Sequence, residues 1–331
     1  MISAAIVGLG RWGRTLVDAV QGKSTVLRFV RAVDTAPEAA REFCDKHDIP
    51  LGTSLDDVLC DPAIQAVVLV TPHSLHREQV EACARAGKHV FCDKPLALRR
   101  EDAAAMVEAC AKAGVVLGVG HNRRFWPSTQ AISRMIAAGE LGRLLHIEGH
   151  NSNENSNQVL GGWRSSPEES PGGGMTGSGL HALDTMMSLA GPVRQVHATL
   201  TEFRREAPPL DTAMASLSFA NGMSGQLTTI RATPFFWRIH VFGTAGSAEA
   251  LGPHEVVIRR SGASAHRMEL SPRDAELEQL EAFAAAASGN APFPVTPAQM
   301  LSTVSAFEAV VASMKTGNTI LIDEASCVQQ E

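Results

Sequence analysis

The sequence predicts an α/β protein: a Rossmann-type, doubly wound parallel sheet, followed by an α+β domain with a large, mostly antiparallel, open-faced sheet. Three observations predict it. In roughly the first 120 residues, short apolar runs alternate with helical segments that end in glycine. A glycine-rich turn follows the first apolar run, and strand-like runs joined by tight turns dominate the second half. We therefore predict domains at residues 1–121 and 122–331.

The first apolar run, Ile2 to Val7, has the composition of a buried parallel strand. Gly8 allows the tight turn that follows, Gly10 lets backbone approach a phosphate, and Gly13 lets the next helix pack close to the strand. The N-terminus of that helix, with its free N–H groups and positive dipole end, then faces a pyrophosphate. This spacing predicts a dinucleotide site.

A second apolar run, Leu27 to Val33, ends in Asp34, which lies 21 residues beyond Gly13. This is the spacing expected for the acid that binds the adenosine ribose. A carboxylate there repels a 2′-phosphate, so we expect NAD as the cofactor. NADP remains the alternative, because Arg11 in the glycine turn is able to face a phosphate.

Polar residues follow further strand-like runs of the first half. Thr71 and Pro72 follow the run that begins at Ala66, and Asp93 and Lys94 follow His89 to Cys92. His121 stands after the run from 115 to 119. Ligands of such folds bind outside the carboxyl ends of the strands, so these side chains are candidates for a site.

Composition narrows the function classes. The chain has 331 residues, 44% of them hydrophobic and 19% charged, as in a globular enzyme, and its net charge of -6 argues against a nucleic-acid binder. The sequence has no stretch of about 18 apolar residues and no basic start of a signal peptide. The six cysteines lack CxxC spacing, and no thiol or acid follows His73 and His76 at ligand spacing. We expect a cytoplasmic protein with reduced thiols, no metal, no nucleic acid and no membrane.

In the second half a helix near 128–138 precedes the strand-like runs, and Ala220-Asn221-Gly222 has the composition of a hairpin turn. A last helix is predicted from Pro297 to Lys315. The strand-like runs cover 144–151, 193–203, 212–219, 222–229, 238–243, 248–251 and 255–260.

Short motifs from both halves carry a resemblance to a known family. They are Gly8 to Gly13, Thr71-Pro72-His73-Ser74-Leu75-His76, Asp93-Lys94-Pro95, Arg123-Arg124-Phe125, Trp163-Arg164, and Gly172-Gly173-Gly174 leading to Gly179-Leu180-His181-Ala182-Leu183-Asp184. In this order they resemble the Gfo/Idh/MocA family, the glucose–fructose oxidoreductase and inositol dehydrogenase group. The resemblance implies a Rossmann domain followed by a domain whose sheet builds homodimers or homotetramers.

The resemblance also implies roles for single residues. Lys94 polarises the reacting hydroxyl and His181 accepts its proton, and the Lys94–Pro95 peptide is expected to be cis. The implied cofactor-binding residues are Gly8, Gly10, Arg11, Trp12, Gly13, Asp34, Thr71, Pro72, His73, His76, Asp93, Lys94, Trp163 and Arg164. For the substrate, the second half offers hydrogen-bonding side chains and flat rings, which together suit a polyhydroxylated ring. The candidate substrate residues are Asn122, Arg124, Asn151, Asn153, Arg164, Thr176, Ser178 and His181, and the candidate stacking walls are Trp126, Trp163, Phe235, Phe236 and Trp237.

The sequence departs from the family pattern at two positions. The family's glutamate before the lysine is Asp93 here, and the aspartate often found four residues before the histidine is Gly177. Asp184, three residues after His181 and on the same helix face, is the expected replacement as its orienting partner and is counted with the catalytic residues.

These observations predict hydride transfer between a nicotinamide cofactor and a hydroxyl or carbonyl of a sugar, inositol, sugar acid or related polyol. The residues do not choose among these substrates or an aromatic cis-diol. Two alternatives stay open: an NAD-dependent glycosidase that oxidises its substrate transiently, and a non-catalytic regulator that binds NAD and a sugar.

Overall fold

The computed structural model describes residues 1–153, 162–206 and 209–322. The chain divides into two compact units. One consists of Met1–Asn122 and Asp274–Met300, and the other of Arg123–Arg273 and the chain from Leu301 onward. The predicted boundary at residues 121 and 122 lies next to the first crossing, whereas the return of Asp274–Met300 to the first unit has no counterpart in the sequence-based division.

The first unit opens with alternating strands and helices that build one parallel sheet, in the order β3-β2-β1-β4-β5-β6. Because the order reverses at β1, the connections leave the sheet in both directions, as the predicted doubly wound fold requires. The elements are β1 (Ile2–Val7), α1 (Arg11–Val20), β2 (Leu27–Val33), α2 (Pro37–Lys46), β3 (Leu51–Gly52), α3 (Leu55–Cys60), β4 (Ala66–Leu69), α4 (His76–Arg85), β5 (His89–Cys92), α5 (Arg100–Ala113) and β6 (Leu117–Val119).

Local sequence accounts for these elements. Every residue of β4 is buried, as expected for a strand covered on both faces. The Ser54 hydroxyl accepts the Asp57 N–H at the start of α3, and Gly114 closes α5 in the left-handed region. β6 starts at Leu117, two residues later than the run predicts, because the Val115 N–H bonds the Cys110 carbonyl at the end of α5.

The second unit is built around a mostly antiparallel sheet, which confirms the predicted second architecture. Its described strands follow the order β14-β13-β12-β11-β7-β10-β9-β8-β15, and only β7 and β10 run parallel among the described pairs. The elements are α6 (Pro127–Ala137), β7 (Leu144–Asn153), α7 (Leu180–Ala190), β8 (Val193–Arg204), β9 (Leu210–Phe219), β10 (Ser224–Arg231), β11 (Phe236–Gly243), β12 (Gly246–Leu251), β13 (Glu255–Arg259), β14 (His266–Glu269), then α8 (Ala275–Ala287) of the first unit, α9 (Pro297–Thr316) and β15 (Ile320–Leu321).

The two faces of this sheet differ in character. On the inner face, β7 buries Ile147, Gly149 and Asn151 beneath α7. Gly149 is required there, since an added Cβ would lie 2.5 Å from the Met186 sulfur. The opposite face, called the open face below, carries charged side chains: Arg238 pairs with Glu148 at 2.8 Å and with Glu249 at 2.6 Å.

Helix α8 is absent from the sequence-based prediction because its alanine-rich sequence shows little amphipathic pattern. It packs in the first unit, where Phe283 meets Phe91 edge-on at 5.6 Å and Glu281 accepts the Ser24 hydroxyl at 2.8 Å. No helix in the described part of the chain is long and apolar enough to cross a membrane.

Candidate functional site

The glycine turn after β1 has the geometry that the spacing predicts. Gly8 adopts φ +96°, and a Cβ there would lie 2.5 Å from the Val70 carbonyl oxygen, so the turn packs against the end of β4. A Cβ on Gly13 would collide with the Gly8 carbonyl oxygen, whereas the space beside Gly10 is open. These three positions therefore provide the tight turn, the close helix and the free approach that a pyrophosphate needs.

Asp34 faces this turn. One of its carboxylate oxygens accepts the Leu9 N–H at 2.6 Å and the other accepts the Ala36 N–H at 2.8 Å. The side chain thus links the glycine turn to the segment that follows β2. Carboxylate oxygens have further lone pairs, so these bonds leave acceptor capacity for ribose hydroxyls.

A cavity of about 550 Å³ opens between the glycine turn and α2. Arg14, which was not among the predicted site residues, lines this cavity. Its guanidinium donates to the Leu9 carbonyl at 3.0 Å and to the Ala39 carbonyl at 2.5 Å, and it lies over the Phe43 ring. Arg11 is exposed and Trp12 is half-buried. The cavity wall consists of Leu9, Gly10, Arg11, Arg14, Asp34, Ala36, Ala39 and Ala40. A glycine turn, a carboxylate and an open cavity fit the adenosine half of a dinucleotide.

The strand ends of the first unit are tied together by His76, which is fully buried. Its Nδ1 lies 3.0 Å from the Pro95 carbonyl oxygen and 3.2 Å from that of Leu96, and its Nε2 lies 3.2 Å from the Thr71 carbonyl oxygen. Burial lowers the pKa of His76, while the Asp93 carboxylate and the carbonyl oxygens oppose that shift. His76 thus links the end of β4 to the segment after Lys94, and its role in cofactor binding stays a prediction.

Thr71, His73 and Asp93 lie close to His76 in sequence or in space, at the same edge of the sheet. The Thr71 hydroxyl donates to Gln79 at 2.6 Å, His73 packs edge-on against His76 with 5.7 Å between ring centroids, and Asp93 is buried. Lys94 is half-buried, and the predicted cis peptide between Lys94 and Pro95 is confirmed. In the described ranges no group of three His, Cys, Asp or Glu side chains is arranged to hold a metal.

In the second unit, Arg124 and Asp184 engage each other. Arg124 donates to both carboxylate oxygens, with Nε and Nη2 at 2.9 and 2.6 Å, and the Thr303 hydroxyl lies 3.4 Å from one of them. Asp184 is only 1% exposed. This bidentate bond joins Arg124 to Asp184. A substrate contact of Arg124 and the orientation of His181 by Asp184 stay predictions.

Other expected substrate residues are also buried and engaged with the chain itself. Asn122, in the first unit, donates to Glu276 at 2.8 Å, and Asn151 donates to the Ser178 carbonyl at 2.7 Å. The Thr176 hydroxyl donates to the Pro171 carbonyl. These hydrogen bonds hold the three side chains within the fold, and their assignment as substrate ligands stays a prediction.

Ser178 and His181 are half-buried, and Gly177 between them and the glycine run is exposed. A Cβ on Gly177 would meet no atom within 4 Å. Ser178 and His181 are thus expected substrate residues that keep solvent contact and lie close in sequence to this open position.

The expected aromatic walls divide into three groups. Trp126 and Trp237 are buried and pack on each other at 5.0 Å, so they belong to the core. Phe235 is exposed, as is Phe236, which lies on the open face against His150 at 5.2 Å. Trp163 is half-buried beneath the Arg164 guanidinium, whose central carbon lies 4.1 Å from the ring centroid.

Two features near the candidate site residues were not predicted from the sequence. Arg14 follows Arg11 by one helical turn, a spacing that was available as a signal. The buried ion pair between Asp211 and Arg231, at 2.8 Å, joins the neighbouring strands β9 and β10. No local sequence pattern predicts this pair, because its two residues are 20 positions apart.

Comparisons with known proteins agree with this architecture. The family model GFO_IDH_MocA matches residues 2–121; its description is an oxidoreductase family with an NAD-binding Rossmann fold. The family model of the GFO/IDH/MocA C-terminal domain matches residues 129–249. A 1,5-anhydro-D-fructose reductase of Ensifer adhaerens is 28% identical over 340 residues, covering 95% of this chain and 99% of that protein.

A second relative, the scyllo-inositol 2-dehydrogenase (NAD(+)) of Bacillus subtilis strain 168, is 30% identical over 260 residues, covering 74% of this chain and 72% of that protein. Among solved structures, the WlbA dehydrogenase of Bordetella pertussis in complex with NADH and UDP-GlcNAcA superposes with a TM-score of 0.86 and 23% identity. The match covers 97% of this chain and 98% of that one. This last likeness establishes a shared fold.

Proposed function

Because the chain belongs to the Gfo/Idh/MocA family of NAD-binding oxidoreductases, we propose that it transfers a hydride between NAD and a hydroxyl-bearing carbon of a sugar, inositol, sugar acid or related polyol. The observation that carries the proposal is the cavity at the glycine turn, which is lined by Asp34 and open beside Gly10. The names of the relatives, an anhydrosugar reductase and an inositol dehydrogenase, support the substrate class.

The residues that would hold the dinucleotide lie in the first unit. The turn from Gly8 to Gly13 offers N–H groups to the pyrophosphate, and Asp34 offers oxygens to the adenosine ribose. The Asp34 charge disfavours a 2′-phosphate, which supports NAD over NADP. When bound, NAD supplies the acceptor for the hydride.

The remaining chemistry belongs to side chains of this protein. The Lys94 ammonium stabilises negative charge on the substrate oxygen as its proton leaves. The His181 imidazole accepts that proton, since a histidine near neutral pH serves as a general base. Both assignments follow the family motifs; their support in the structure is that each side chain is half-buried rather than sealed in a core.

The experiment is a screen of sugars, inositols and their acids that follows NADH absorbance. The variants Lys94→Ala and His181→Ala are compared with Lys112→Ala and His266→Ala, which remove the same residue types from exposed positions. We expect one compound class to reduce NAD, a loss of about 10²–10⁴-fold in kcat for the first pair, and no loss for the controls.

The screen also decides between this proposal and its alternatives. Release of free sugar from glycosides with no net NADH would replace it with the transiently oxidising glycosidase. NAD binding without turnover of any compound would replace it with a regulator. Near-normal turnover by His181→Ala would refute the assignment of the proton acceptor.

We further propose that the open face builds a homodimer or homotetramer. Met214 on β9 and Phe236 on β11 are each 46% exposed on this face, and Arg238, two residues after Phe236, pairs with Glu148 and Glu249. Exposed apolar side chains together with paired charges are typical of an interface. Light scattering should report an oligomer that Phe236→Lys weakens; a monomeric wild type would refute it.

A cytoplasmic location remains a prediction. It is supported by the five described cysteines, which form no disulfide and four of which are buried. Cys327 lies outside the described residues. Burial raises the pKa of Cys83 to about 12, so this thiol is unreactive.

A further inference from the structure

The segment before α7 is a π-helical turn, Met175–Gly179, called the π turn below. The Leu180 N–H donates to the Met175 carbonyl, five residues back, instead of four as in an α-helix. Such a turn holds one extra residue, is rare, and is frequently found at functional sites. It ends two residues before His181.

The start of the π turn is clamped to the sheet. The Gly174 N–H donates to one carboxylate oxygen of Asp211 at 3.0 Å, and the other oxygen pairs with Arg231 Nε at 2.8 Å. Burial raises the pKa of Asp211 while Arg231 lowers it. A Cβ on Gly173 would lie 2.8 Å from the same carboxylate, so the glycine run is fitted around this ion pair.

The end of the π turn has a second clamp. The Asn151 amide donates to the Ser178 carbonyl at 2.7 Å, and Asn151 is 2% exposed. Gly179 packs between Met175 and Thr229, and a Cβ added to it would lie 3.1 Å from the Thr229 methyl carbon. Asn151 and Thr229 are register partners on β7 and β10, so the clamp rests on the centre of the sheet.

Helix α7 beyond the π turn is held independently. Asp184 is bonded to Arg124 and to Thr303, and all but two residues of α7 are buried. The two that are not buried are His181 and Ser188, seven residues apart and hence on one face. Each residue turns a helix by about 100°, so losing the extra residue would rotate His181 toward the core unless a clamp broke.

We propose that the π turn, clamped by Asp211 at its start and Asn151 at its end, holds the His181 imidazole on the accessible face of α7. Asp211 and Asn151 are then positioning residues that act through Gly174 and Ser178. The inference rests on the proposed role of His181 as proton acceptor, but its first test does not need activity.

The first test is the NMR signal of the His181 ring in the full-length protein, assigned with His181→Gln. Asn151→Ala is compared with Asn221→Ala, whose side chain makes the same kind of bond to the carbonyl of Ala190, at the other end of α7, at 2.8 Å. We expect Asn151→Ala to shift the signal and its titration midpoint and Asn221→Ala to leave both unchanged. An unshifted signal and midpoint in Asn151→Ala would overturn the proposal.

The second test concerns Asp211. Asp211→Asn retains an acceptor for the Gly174 N–H and should preserve the His181 signal better than Asp211→Ala does. Equal, wild-type signals in both variants would remove Asp211 from the proposal. Should Asp211→Ala fail to fold because Arg231 is left buried without a partner, the Asn151 and Asn221 pair still decides.

Kinetics with the most active compound of the screen adds a third reading. We expect Asn151→Ala to lower kcat on the order of 10²-fold, the loss typical of a displaced catalytic group, with an unchanged Kd for NADH. A fall no greater than in Asn221→Ala would contradict the proposal. Full turnover by His181→Ala would instead refute the proposed function, and the NMR comparison would still decide the positioning.

Discussion

Replacement of Asp34 by serine tests the cofactor site in two ways. The change removes a carboxylate that accepts two backbone N–H groups, at 2.6 and 2.8 Å. Hydrogen bonds to a charged group contribute about 1.5–3 kcal/mol each. Because the serine hydroxyl recovers one bond and the site is partly exposed, we expect the free energy of unfolding to fall by about 1.5–3 kcal/mol.

The same change should narrow the preference for NAD. A loss of about 1.5–3 kcal/mol in ribose contacts corresponds to roughly a 10- to 150-fold weaker NAD affinity. Binding of NADP should suffer less, because the charge that repels its 2′-phosphate is gone.

The assay is a direct titration of NADH and NADPH by calorimetry, together with urea unfolding, on wild type, Asp34→Ser and Asp56→Ser. Asp56 is an exposed acid in the first turn of α3 and serves as the matched control. The reasoning is refuted if wild type binds NADPH more tightly than NADH. It is equally refuted if Asp34→Ser leaves the ratio of the two affinities unchanged.

Three further predictions concern single positions. Gly8→Ala should cost clearly more stability and NADH affinity than Gly22→Ala, because both have positive φ but only Gly8 places a Cβ 2.5 Å from the Val70 carbonyl oxygen; equal unfolding free energies would contradict this. Burial lowers the pKa of His240 to about 4; the Glu249 carboxylate opposes this shift and the Arg238 guanidinium adds to it. The unfolded chain therefore binds more protons between about pH 4 and 6.5, and stability should fall by about 2 kcal/mol as the pH drops through that window. Urea unfolding at pH 7 and 4.5 should show a smaller drop in His240→Gln, and an identical drop would refute the assignment. Gly177→Asp enters open space, so its unfolding free energy should stay within about 0.5 kcal/mol of wild type. Its turnover of inositols should rise in the NADH assay, and an unchanged rate would show that the missing acid does not set the substrate.

Much of the fold could be predicted because its signals are local. β1 and β5 begin and end at the predicted residues, and α9 begins at the predicted Pro297. Buried parallel strands are read from continuous apolar runs, and helix ends from glycine. By contrast, α8 and β14 lack such signals, since an alanine-rich helix and a short exposed strand show no clear periodicity.

The backbone geometry of the glycine turn could be predicted from the sequence. The turn at Gly8 and Gly13 follows from the absence of a side chain, which can be read directly from the sequence. The partners of polar side chains could not be predicted, because a polar residue that bonds to its own chain looks the same in sequence as one that binds a ligand. Asn151 and Thr176 are examples: both are bonded to backbone carbonyls.

The sequence by itself determined the family, the cofactor turn with Asp34, and the order of strands and helices, because each rests on residues close together in the chain. Only the tertiary structure decided which polar side chains bond to each other. Arg124 and Asp184 lie 60 residues apart, yet they satisfy each other. The π turn, too, depends on anchors from β7, β9 and β10. Such partners are chosen by the packing of distant strands, which no local pattern encodes.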